Sequence, residues 1–154
     1  MNRKTWSKLL FAAYCILMLW LLYGQRIGNA GSGSYWQQLK DHIVYTPFET
    51  IWRFLWVLRN STNGAQIRHA VVNLVGNVVM FVPLGFLVPC IWEKPKRFGW
   101  HFFVMTLTIV AIELLQMLTL LGECDVDDLL LNLVGTTIGF LLWKLWQRIS
   151  RKTM

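Results

Sequence analysis

Three polar sets interrupt or border long apolar stretches of this sequence: Asn73 with Asn77, Glu113 with Gln116, and Asp125, Asp127, Asp128 with Asn132. Glu113 and Asn132 fall inside windows that otherwise read as membrane-embedded. An ionisable side chain at that depth costs on the order of 3 kcal/mol, so such residues rarely face lipid and mark a bundle interior or a wet cavity. Their types allow a small set of chemistries. Carboxyl groups at Glu113 and Asp128 can exchange protons in acid–base work. Acidic oxygens can hold a hard divalent cation, Mg²⁺ or Ca²⁺. Amides and carboxylates brought to one depth can line a polar binding pocket. Zinc is not indicated, because neither His101 nor Cys124 stands at a zinc-ligand spacing, and there is no nucleophile elbow.

The spacings place these residues on helix faces. Asn73 and Asn77 are four apart, and Glu113 and Gln116 three apart, so each pair shares a face. Asp128, Asn132, Gly135 and Gly139 form one stripe, polar then small, at intervals of four, three and four. Each residue also has an ordinary explanation: asparagines glue membrane helices, Asp125 or Asp127 caps a helix start, and a buried Glu113 stays neutral by desolvation.

The elements that must position them are transmembrane helices. Of the 154 residues 55% are hydrophobic, and they come in blocks rather than in the periods of a soluble core. A span needs about 20 apolar residues, and four blocks meet that length: 6–23, 70–92, 100–121 and 126–146. The expected fold is all-α, an integral membrane four-helix bundle forming a single domain over 1–154. Pro83 is expected to loosen or kink the second span. The Arg3-Lys4 start and apolar run read as a signal anchor, since the exit through Arg26 is a weak cleavage site.

Charge sets the orientation. Arg3, Lys4, Lys8, Lys94, Lys96, Arg97, Lys144, Arg148, Arg151 and Lys152, ten of the fifteen basic residues, fall on one side of a four-span topology. Lys and Arg are retained in the cytoplasm, so both termini are expected inside, in the cell membrane. The net charge of +7 is then a topology signal and not a nucleic-acid patch. Cys15, Cys90 and Cys124 lie at different depths and make no disulfide framework.

An external segment joins the first two spans. Gly28–Gly33 is turn-rich; Tyr35 to Leu58 then mixes Trp36, Phe48, Trp52 and Trp56 with Lys40 and Arg53, an amphipathic stretch suited to the headgroup boundary. Pro47 divides it into a lead-in and a helix from about Phe48. With both termini inside, Asn73, Asn77, Glu113, Gln116, Asp128 and Asn132 all fall in the outer half of the bilayer, which predicts a shared pocket open to the outer face.

The series Asn73-x3-Asn77-x3-Phe81-x-Pro83-x-Gly85-Phe86, Glu113-x2-Gln116 and Asp125-x-Asp127-Asp128-x3-Asn132-x2-Gly135-x3-Gly139 resembles the VanZ-like membrane proteins. The Pro47-Phe48 segment fits as well, so the resemblance covers about residues 43–140. One departure stands out: the family often has an arginine shortly after the third span, where this sequence has Gly122-Glu123-Cys124. The resemblance implies a bacterial membrane protein; the family's namesake is associated with low-level resistance to teicoplanin and related lipoglycopeptides. The expected function is therefore action at the outer leaflet on the cell envelope. Expected partners are membrane lipids, with a lipid-linked cell-wall precursor or a lipoglycopeptide as candidates. Two alternatives are an intramembrane enzyme on a lipid or lipid-linked wall precursor, and a small proton-coupled exporter with Glu113 as carrier.

Overall fold

A computed structural model describes residues 3–24, 34–92 and 97–152. The Arg26 exit, the Gly28–Gly33 piece and positions 93–96 of the basic turn lie outside the described residues. Helix α1 (Arg3–Leu19) runs into a π-helical turn (Trp20–Gly24); α2 (Tyr35–Asp41), the short strand β1 (Ile43–Val44) and α3 (Glu49–Asn60) follow. Then come α4 (Gly64–Ile91), α5 (Phe98–Leu118), β2 (Cys124–Asp125) and α6 (Val126–Lys152). Four helical stretches are long and apolar enough to cross a membrane: Thr5–Tyr23, Gly64–Ile91, Phe98–Leu118 and Val126–Ser150.

Helix ends follow local chemistry. The Asn63 side chain accepts from Ala65 N at 2.9 Å and Gln66 N at 3.5 Å, so α4 starts six residues before the apolar block does. It then continues through Pro83 and Pro89 without a break, where neighbouring helices tolerate the missing donors. Helix α5 stops earlier than its apolar run. Leu120 takes a left-handed φ of 54°, and Leu121 N and Gly122 N both turn back onto Gln116 O at 3.0 and 3.2 Å.

Glycines decide the packing of α4 on α6. A Cβ at Gly135 would lie 2.2 Å from Val78 O, at Gly139 2.0 Å from Val82 O, and at Gly85 2.0 Å from Thr136 O. The two helices therefore run parallel with their backbones in direct contact, which only a missing side chain permits. Helix α5 adds Met105 and Ile109 to a core of Phe81, Leu84, Val88 and Leu133. Helix α1 contributes Met18 and a bond from Tyr14 Oη to Met80 O, 2.8 Å. Outward-facing Ile16, Val72, Val79, Leu107 and Leu141 are exposed, as a lipid-facing surface requires.

The segment joining the first two spans is tied down at one end of this bundle. Strands β1 and β2 pair in parallel, Ile43 with Cys124 and Val44 with Asp125. Cys124 N donates to His42 O at 2.7 Å, and Tyr35 Oη donates to Leu118 O at 2.9 Å. Helix α3 buries Thr50 and Phe54 and leaves Trp52 and Trp56 exposed.

Candidate functional site

A cavity of about 390 Å³ opens where the segment joining the first two spans meets the bundle. Its lining includes Asn73 and Asn77 from α4, Glu113 and Gln116 from α5, and Asp125, Asp128 and Asn132 at or near the start of α6. Seven of the eight residues singled out above thus converge on one space. The helix faces explain it: α4 and α6 run in parallel, with the third and fourth turns of α4 level with the start of α6, while α5 runs the other way and brings its C-terminal turns to the same depth.

The polar groups are wired in pairs. Asn77 Nδ2 donates to Asp128 Oδ1 at 2.5 Å, and Asn132 Nδ2 donates to Glu113 Oε1 at 3.2 Å. Burial increases inward. Glu113, Gln116, Asn132 and Asp125 are all at most 5% exposed; Asn73, Asn77 and Asp128 are half-buried; Arg53, His69 and Glu123 are exposed. The acceptors Asn73 Oδ1 and Asn132 Oδ1 are buried and accept no hydrogen bond from the described residues.

Asp127 departs from the expected set. It is fully buried, but its carboxylate accepts from Phe48 N at 2.6 Å and Ile51 N at 3.0 Å and does not line the cavity. It caps α3 from across the fold, a residue on one helix serving the start of another. Its own helix is capped by Asp125, whose Oδ1 accepts from Asp127 N at 2.8 Å.

Sequence reasoning left out Arg53, His42, His69 and Thr50, all of which line the cavity. His69 was legible: it stands four before Asn73, on the same face, but a span drawn from residue 70 excluded it. Arg53 reaches the cavity because Asp127 docks α3. There its guanidinium donates to Thr50 Oγ1 at 3.3 Å and sits 5.3 Å from the Phe54 ring centroid. A cation therefore shares the cavity lining with these carboxylates, delivered by α3 and not by the 122–124 loop. Among the described residues no group of three or more His, Cys, Asp or Glu side chains is placed to hold a metal ion.

Outside the membrane, the Cys124 thiol is pushed above its ordinary pKa, first by burial and then by the negative charges of Glu113 and Asp125. It is a poor nucleophile at neutral pH.

The sequence matches the VanZ/LLP1 family over residues 11–147. Protein VanZ of Enterococcus faecium is 24% identical over 142 residues, which cover 92% of this chain and 76% of that protein. No solved structure matches the chain.

Proposed function

The chain belongs to the VanZ/LLP1 family, and from that membership we propose that it is a cell-membrane binding factor that acts at the outer leaflet on the cell envelope. Its polar cavity takes the headgroup of a membrane lipid or of a lipid-linked wall precursor, and its presence lowers susceptibility to teicoplanin-like glycopeptides. One observation carries this reading: polar side chains from α3, α4, α5 and α6 converge on a cavity at one end of the bundle. The basic residues Lys8, Arg97, Lys144 and Arg148 belong to the opposite helix ends. Positive charge stays inside, so the cavity faces outward. A lining gathered at one end favours binding over export, which needs access from both sides.

The test uses cells expressing wild type, Glu113→Gln, Asp128→Asn or an empty vector, with membrane abundance matched first. Wild type is expected to raise the teicoplanin concentration needed to stop growth, and each variant to lose most of that protection. Full protection by both variants would reduce the carboxylates to helix packing. No protection by wild type would remove the resistance reading.

A further inference from the structure

Resting on the headgroup reading of the cavity, we propose that its ligand is an aminophospholipid: a phosphate ester ending in a protonated primary amine, with the amine at the cavity floor and the phosphate at the Arg53 rim.

The floor is built to accept hydrogen bonds. Glu113 and Asn132 are 4% and 2% exposed, and Asp128 lies beside them in the lining. The Nδ2 groups of Asn77 and Asn132 donate to those carboxylates, while Asn73 Oδ1 and Asn132 Oδ1 are buried acceptors with no donor among the described residues. Unpaired buried acceptors are costly to keep, so a donor-rich ligand gains most there. A primary ammonium offers three N–H groups and no acceptor, and its charge complements the acids. A trimethylated ammonium has the same charge but no N–H to give.

The rim has the opposite character. Arg53 is exposed at the mouth, and a guanidinium pairs with phosphate through two parallel hydrogen bonds. Arg53, Phe54 and His69 also line a second groove of about 370 Å³ between α3 and α4, together with Val57, Ala65 and Gln66. The two spaces meet at the same cation. The cavity that meets this cation is acidic and buried, which matches the order amine then phosphate along an aminophospholipid headgroup. Trp52 and Trp56 are exposed on the same helix, and aromatic side chains of this kind hold a helix at headgroup level.

Purified full-length protein in detergent is offered phosphatidylethanolamine, phosphatidylcholine or phosphatidylglycerol with matched acyl chains, and bound lipid is read by native mass spectrometry. Phosphatidylethanolamine is expected to bind about tenfold better than phosphatidylcholine, the size of one charge-assisted hydrogen bond, and better than phosphatidylglycerol. Asn132→Leu and Asn73→Leu should each shrink the ethanolamine-over-choline ratio. Arg53→Gln, at an exposed position, should weaken all three lipids and leave that ratio unchanged. Equal binding of the ethanolamine and choline lipids overturns the proposal, as does a preference for the glycerol lipid; if that binding still falls in Arg53→Gln, the headgroup reading itself survives. Displacement by free O-phosphoethanolamine as readily as by the lipid overturns the lipid assignment. Lipid binding indifferent to all three substitutions overturns both readings.

Discussion

Asp127 lies among acids expected to meet a ligand, yet its two oxygens hold the backbone of another helix. Phe48 N is held at a left-handed φ of 66°, a conformation that costs a bulky residue roughly 1–2 kcal/mol, and the carboxylate offsets that strain. Asp127→Ala leaves two N–H groups without their acceptor and is expected to weaken docking of α3 by about 1–3 kcal/mol. Faster protease cleavage between residues 45 and 60 would report it, with Asp127→Asn intermediate; wild-type cleavage in Asp127→Ala would mean that the cap does not hold α3. Cys124 makes a second prediction, measured in a Cys15→Ser, Cys90→Ser background. Its raised pKa means that the thiolate forms only at higher pH than in a free thiol, so the rate of maleimide labelling should rise late as pH increases. Asp125→Asn removes one negative charge, stabilises the thiolate and should move that profile to lower pH. An unmoved profile would assign the shift to burial and Glu113 without Asp125.

At the scale of elements, the contact of α4 with α6 sets the depth register of the whole cavity. Gly85, Gly135 and Gly139 bring the two backbones together, which levels Asn77 with Asp128 and leaves the α5 face to meet Asn132. A methyl group at Gly139 would collide with Val82 O and the Gly85 backbone, neither of which can turn aside like a side chain. Gly139→Ala is therefore expected to destabilise the bundle by about 1–3 kcal/mol, read as a lower melting temperature of the detergent-purified protein. Gly99→Ala, with open space around its Cβ, serves as the control near the start of α5. Equal melting of the two variants would contradict the close approach.

For the whole molecule, the polar cavity and the basic helix ends lie at opposite poles, so orientation decides which compartment the cavity sees. A reporter active only in the cytoplasm, fused at the C-terminus or inserted after Thr62, is expected to work at the C-terminus alone. Activity after Thr62 would turn the cavity inward and remove the outer-leaflet proposal. The exposed Trp36, Tyr45, Trp52 and Trp56 all belong to the segment joining the first two spans. Amphipathic rings of this kind suit a membrane boundary.

Length and hydropathy by themselves determined the four membrane-crossing helices, because spanning a bilayer demands long apolar runs that no soluble period imitates. Helical spacing determined which polar residues share a face, so Asn73 with Asn77, Glu113 with Gln116 and Asp128 with Asn132 were legible before any fold. The glycine stripe at Gly135 and Gly139 was legible as a contact surface too. Which partner filled that contact was not, since a missing side chain marks closeness without naming the neighbour. Only the tertiary structure decided that Asp127 turns away from the cavity, through bonds to residues 79 and 76 positions away in the chain. It also decided that Arg53 lines the cavity and that two-residue strands stitch residues 43–44 to 124–125. Such features leave no period and no composition in the sequence: each depends on one side chain or one backbone pair meeting another across a distance that local patterns do not encode.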